Sequence, residues 1–120
     1  MSSQALPSPT PREQRAATAI AELVRTLHTL RSPGGCAWDA DQTLESLQPY
    51  LLEETYEALE AFSDGDEDAH CDELGDVLLQ IVFQAEIRSE NHTFDFADVA
   101  HAITAKLIRR HPHIFNTPQD

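Results

Sequence analysis

Apolar residues recur along this chain at the period of a helix. From Arg12 to Arg31, Ile20, Leu23, Val24, Leu27 and Leu30 fall at i, +3, +4, +7 and +10, one stripe that predicts a helix ended by Pro33-Gly34-Gly35. Leu44 and Leu47 predict a short helical turn. It leads into a second long helix that holds Pro49 in its first turn, runs to about Phe62 and turns Leu51, Leu52, Tyr56, Leu59 and Phe62 toward the core. A third helix is expected from Glu67 or Asp68 to about Ser89, with Leu74, Val77, Leu78, Ile81 and Ala85 on its stripe. Gly75 inside it is a weak helix former, explained if a neighbouring backbone approaches closely. After the turn Asn91-His92-Thr93, Asp95 reads as an N-cap with Asp98 at N3, and Phe94 and Val99 as a hydrophobic staple. The fourth helix then runs to Arg110 with Val99, Ile103 and Leu107 inward, and Pro112 blocks its continuation. The pattern is all-α, a bundle of four to five helices.

The proline-rich stretch 1–11 is expected to be a disordered tail, residues 12–116 a single domain, and 117–120 a C-terminal tail. The segment Ser32 to Asp41 reads as a loop and carries Trp38, the only tryptophan. Trp38 is a candidate to stack a base, lid a pocket or plug one end of the core. Asp39 and Asp41 are candidate caps for the segment that follows.

The polar positions change this picture more than the apolar ones do. Glu53, Glu54 and Glu57 occupy one third of the circumference of the second helix, and Glu73 and Asp76 stand at i,i+3 on the third. The polar turn SDGDED between them, residues 63–68, reverses the chain and sets the two acidic faces side by side. A run of glutamates is commonly a solvated face. Here, however, Glu57 has like-charged neighbours at Glu53 and Glu60, each pair costing about 0.2–0.5 kcal/mol, and no Lys or Arg lies between Gly34 and Ile87. Such a local conflict marks a candidate site. A cage made only of carboxylates suits Mg²⁺, with Mn²⁺ able to substitute, and Mg²⁺ points to a phosphate substrate.

The net charge of −13 argues against binding a nucleic-acid polymer or an anionic membrane, so a nucleotide has to bind through metal or a local basic patch. Lys106, Arg109 and Arg110 form the one concentration of positive charge late in the chain. They complement a helix C-terminus and are candidate phosphate contacts. No apolar run reaches the length of a membrane span and no secretory leader is evident, so the cytoplasm is the expected compartment. Cys36 and Cys71 are accordingly expected to be reduced thiols.

The stretch from Leu27 to Phe115 resembles the MazG family of nucleoside triphosphate pyrophosphohydrolases, within the all-α NTP pyrophosphatase superfamily. The resemblance is carried by LRSPGGCAWDADQTLESL, YLLEETYEALEAF, DELGDVLLQIVFQAEI and KLIRRHPHIF, in the family's order and spacing. It implies Mg²⁺-dependent hydrolysis of a nucleoside triphosphate, ribo or deoxy, to the monophosphate and pyrophosphate. Glu54, Glu57, Glu73 and Asp76 match the family's metal ligands, and Glu53 fills the first position of E-E-x-x-E, where it holds another ion or orients the attacking water. Lys106 and Arg110 match a pair that contacts the triphosphate, and Trp38 lies in a motif near the nucleotide pocket. Ala37 stands where the family often has Pro and Leu44 where His is common, departures that bear on base contacts. Many members carry two tandem copies of the domain. This chain has one, so a homodimer or homotetramer is expected. Clearing non-standard nucleotides from the pool follows from family analogy alone.

Three other readings compete. A carboxylate-bridged di-iron or di-manganese bundle also turns glutamates inward but relies on Glu-x-x-His pairs, whereas the acidic pairs here are Glu-x-x-Glu and Glu-x-x-Asp. A non-catalytic nucleotide-binding or acidic interaction homologue has no need of both the acids and the basic pair. A zinc site from Cys36, Cys71, His111 and His113 lacks the usual ligand spacing.

Overall fold

Thr10 sets the start of the first helix. In the computed structural model, which describes residues 6–115, α1 (Pro11–Arg31) opens on a capping box in which the Thr10 side chain accepts from the Glu13 N–H and the Glu13 carboxylate from the Thr10 N–H. Pro11 sits at N1, where a missing N–H leaves no bond unmade. The helix therefore takes the last residue of the expected tail. The rest of that expectation falls partly on residues 1–5, and the C-terminal tail falls on 117–120; both lie outside the described residues.

Five more helices follow among the described residues: α2 (Ala37–Asp41), α3 (Gln48–Ser63), α4 (Glu67–Glu90), α5 (Phe96–Arg110) and α6 (Pro112–Phe115). No strand occurs among them. The expected loop of residues 32–41 thus contains a short helix, and the long helices fall within two residues of their expected bounds. Asp39 and Asp41 do not cap α3, whose N-cap is Leu47 without a side-chain bond. Asp39 lies instead in the first turn of α2.

Helices α3 and α4 form an antiparallel hairpin and make the most extensive packing in the chain. Gly65, at φ +75°, turns the corner, and the Asp66 carboxylate caps α4 by accepting from the Ala69 N–H. Helix α1 lies parallel to the C-terminal half of α4. His28 Nδ1 stands 2.8 Å from Glu86 Oε2, and Arg31 Nε donates to Glu90 Oε2 at 2.7 Å. Between them sits the core of Leu27, Leu47, Val82, Phe83 and Ile87, flanked by Leu23, Val24, Leu44, Leu78, Leu79 and Phe96. Helix α5 enters through Phe96 and starts with the expected capping box of Asp95 and Asp98.

Three of the expected inward faces are only partly in this core, with Leu78 and Ala85 of α4 buried or packed on it and Leu51, Val77 and Val99 half-buried. On α3, Leu52, Tyr56, Leu59 and Phe62 are exposed, the last by 69%, and the helix buries Ala58 and Ala61 instead. Leu74 and Ile81 on α4 and Ile103 and Leu107 on α5 are exposed as well. The radius of gyration of 17.1 Å exceeds the roughly 13–14 Å of a compact chain of this length. The periodicity identified the apolar stripes correctly, but a stripe does not say whether its cover comes from the same chain.

Gly75 also departs from expectation, since a β-carbon there would meet nothing within 4 Å. The close approach occurs at Gly35, where a β-carbon would press into the backbone carbonyls of Thr29 and Leu30. The Cys36 N–H donates to Leu30 O at 2.8 Å across this corner. Gly35→Ala is therefore expected to lower stability by about 1–3 kcal/mol, as overpacking does elsewhere, read as a fall in the denaturant midpoint; Gly75→Ala, in open space within a helix, is expected to raise it.

Candidate metal centre

Glu54 and Glu57 lie one turn apart on α3, and Glu73 reaches them from α4. One carboxylate oxygen from each of the three lies within 4.8 Å of the others, the one group of three or more ionisable ligands so arranged among the described residues. The helical register explains the meeting. Glu54, Ala58 and Ala61, in line with the N-cap Leu47, share the face of α3 turned to α4, and Glu73, Gln80 and Ile87 share the answering face, so the seam is apolar toward both ends with the carboxylates between. The small side chains Ala58 and Ala61 let the helices approach.

This packing takes the carboxylates partly out of water and gives them only one another as partners. Glu54 Oε2, Glu73 Oε2 and Gln80 Oε1 are buried and accept no hydrogen bond. All three are acceptors, and a buried unmatched acceptor is destabilising. Desolvation first, then the charges of Glu57, Asp76 and Glu73, holds the Glu54 carboxyl above its ordinary 4.5. Glu73 is raised too, by desolvation first, then by its hydrogen bond to Glu57 and the negative charges of Glu57, Asp76 and Asp72. Every charge acting on the two is another carboxylate. A cluster of oxygen acceptors that repel one another is the donor set a hard divalent cation satisfies.

The sign of the pH dependence follows. A carboxyl raised by folding adds stability below the unfolded pKa near 4.5 and loses it as pH climbs through the folded value. Metal-free protein is expected to melt lower at about pH 8 than at about pH 5, with Mg²⁺ recovering the difference chiefly at the higher pH. Thermal scans of the native chain and of Glu73→Gln would check this, the variant giving the flatter profile.

The other expected site residues divide. Asp76 is close enough for its charge to act on both Glu54 and Glu73, although it is not one of the close trio. Glu53 is exposed on α3 and outside the trio. Trp38, on α2, does not plug the core. Its indole is half exposed and meets the Tyr50 ring edge-on, with centroids 5.8 Å apart. Tyr50 shares a face with Glu54 and Glu57 and stands one helical turn, roughly 6 Å along the axis, before Glu54. Tyr50 was not legible as the neighbour of Trp38, since a lone tyrosine in the first turn of a helix carries no signal of its own. Lys106, Arg109 and Arg110 are exposed on the last turns of α5, which packs on α4 and α6. No hydrogen bond or ion pair among the described residues joins Lys106 or Arg110 to the acidic cluster.

Among the described residues, no histidine or cysteine joins a close group of ligands, as the competing metal readings require. The one Glu-x-x-His spacing, Glu67 to His70, lies in the first turn of α4, where the imidazole packs on Phe62 with centroids 5.6 Å apart. Cys36 and Cys71 are both free thiols. His111 stacks near His113, and neither joins a group of ligands.

An all-α chain whose helical hairpin sets E-E-x-x-E against E-x-x-D defines a small class, and this chain belongs to one family of it. The MazG nucleotide pyrophosphohydrolase domain matches residues 42–115. A Thermotoga maritima protein named nucleoside triphosphate pyrophosphohydrolase/pyrophosphatase MazG is 54% identical over 94 residues, 78% of this chain and 37% of that protein. The nucleoside triphosphate pyrophosphohydrolase of Escherichia coli K12 is 48% identical over 97 residues, 80% of this chain and 37% of its own. That of Mycolicibacterium smegmatis is 41% identical over 112 residues, 92% and 32% of the two chains. The chain spans about a third of the length of these curated relatives.

Proposed function

We propose that this chain hydrolyses a nucleoside triphosphate to the monophosphate and pyrophosphate, using Mg²⁺, or Mn²⁺ in its place, held by Glu54, Glu57, Glu73 and Asp76. The observation that carries the reading is the α3–α4 seam, where buried carboxylate oxygens stand without partners and within reach of one another. The names of the relatives support the same reaction. The bound cation supplies neutralisation of the triphosphate and of the departing pyrophosphate, without which this acidic chain would repel its substrate. The hairpin's part is to hold four carboxylates in fixed positions from two rigid helices.

Glu53, solvent-facing and adjacent to the cluster, is assigned the orientation of the attacking water and receipt of its proton. Lys106, Arg109 and Arg110 are assigned to the phosphates, on their spacing along α5 and the family resemblance. Trp38 and Tyr50 are assigned to the base end, since their partly exposed rings meet edge-on and Tyr50 stands one turn before Glu54 on the carboxylate-bearing face of α3. The exposed stripes of α3, α4 and α5 are assigned to a second copy of the chain, because a monomer rarely leaves an apolar face this extended open to water. At least a dimer is the working state, in the cytoplasm, and clearing of non-standard nucleotides is the role we attach to it. No helix among the described residues is long and apolar enough to cross a membrane.

The test is pyrophosphate release from a panel of normal and oxidised nucleoside triphosphates with Mg²⁺ and with Mn²⁺. Cleavage of any member to monophosphate and pyrophosphate supports the reaction. Equal kcat/KM across normal and oxidised substrates would remove the pool-clearing role while leaving the chemistry. No cleavage with either metal would leave a binding homologue.

A further inference from the structure

Helix α2 carries Trp38 yet buries no residue of its own. A five-residue helix is far too short to persist by itself, so polar contacts with the rest of the chain must hold it. Arg31, the last residue of α1, makes the most of these. One guanidinium nitrogen, Nη1, donates to Asp39 O at 2.6 Å, in the middle of α2, and to Gln42 O at 3.2 Å, at its C-cap. Nε and Nη2 donate to the two oxygens of Glu90, at 2.7 and 2.8 Å, on the last turn of α4. The carbon of the guanidinium lies 5.5 Å from the centre of the buried Phe83 ring, and the Arg31 side chain is 9% exposed. Four of the five N–H donors of an arginine are thereby used in one plane. The planar fork joins the ends of α1 and α4 to an α2 that nothing else buries.

We infer that Arg31 is a positioning residue for the nucleobase end of the site: it fixes α2, and through α2 the distance of Trp38 from the carboxylates of α3. The catalytic part of this inference rests on the function proposed above. The structural part stands without it. Arg31 makes no hydrogen bond or ion pair with a carboxylate of the cluster; its partners are Glu90, two backbone carbonyls and the Phe83 face. A lysine here keeps the charge but offers a single nitrogen, which cannot reach Glu90 and both carbonyls in the fork geometry. Loosening α2 therefore relaxes base contact while leaving the seam of α3 and α4 intact.

Because Trp38 is the only tryptophan, its emission reports the position of α2 directly. Arg31→Lys is expected to shift Trp38 emission to the red and lower its anisotropy. With a nucleoside triphosphate the variant is expected to raise KM roughly fivefold or more, the effect of losing about 1 kcal/mol of base stacking, with kcat within about twofold. Inorganic tripolyphosphate with Mg²⁺ has no base, so its inhibition constant is expected to be the same for the two proteins. Glu90→Gln, which keeps both bonds from Arg31 to α2, is the fold control and should retain native emission. Unchanged emission in Arg31→Lys overturns the inference. So does a parallel weakening of tripolyphosphate, or a fall in kcat at constant KM, since either places the effect at the phosphates. If Arg31→Lys does not fold, Arg31→Gln read against Glu90→Gln supplies the same comparison. If the native chain cleaves no triphosphate, the reaction proposed above fails alone, and the emission of the variants still decides whether Arg31 sets α2.

Discussion

Glu57→Gln and Asp76→Asn are each expected to lower pyrophosphate release by roughly 100-fold or more, the range found when one electrostatic group is removed from a reacting centre. The same substitutions are expected to make the metal-free protein more stable. Glu57 is the largest charge acting on Glu54 and Asp76 the next, and both also act on Glu73. Removing either relieves repulsion that folding alone does not offset. Opposite signs in the two measurements distinguish a ligand from a structural residue, because loss of a structural carboxylate lowers melting temperature and activity together. Mg²⁺ should then raise the melting temperature of the variants less than that of the native chain. Native rates of pyrophosphate release in both variants would show that the seam is not the reacting centre.

The second large effect is expected on assembly. Leu52 and Leu59 lie on one stripe of α3, 59% and 58% exposed and on the side of the helix away from the carboxylate seam. In a two-fold dimer each substitution is present twice. Replacing one leucine by aspartate forfeits about 1.5–3 kcal/mol of apolar burial per copy, so Leu59→Asp is expected to weaken dimerisation by about 10²- to 10⁴-fold. Sedimentation over a concentration series would show the native chain as a dimer or larger and the variant as a monomer. A native chain that sediments as a monomer throughout the micromolar range would end the reading of these stripes as a subunit interface.

Much of the fold was legible because its boundaries are written in local chemistry. Asp95 and Asp98 form the capping box that their spacing announces, and the acidic turn of residues 63–68 makes the reversal that pairs the two acidic faces. The carboxylate trio was legible for the same reason, since residues three and four apart on two adjacent helices meet whenever the turn between them is short. What escaped was long-range. The fork of Arg31 depends on Asp39 and Gln42 of α2 and its cap and Glu90 of α4 converging on the end of α1, and no periodicity encodes that. Helix α2 escaped because a single turn held by such contacts has no apolar stripe to betray it. The exposed leucines escaped differently, because amphipathic spacing identifies a face that needs cover without saying what covers it.

The hairpin of α3 and α4 has a consequence for how such a chain diversifies. All four assigned ligands lie between Glu54 and Asp76, on two consecutive helices joined by one tight turn. Trp38 and the basic residues are supplied from elsewhere, by α2 and by α5, and Tyr50 by the first turn of α3, ahead of the ligands. On the function proposed above, bond cleavage and nucleotide choice would be carried largely on separable pieces of the chain. Drift at Ala37 or Leu44 would then change which base is admitted while the carboxylate hairpin passes unaltered from one descendant to the next.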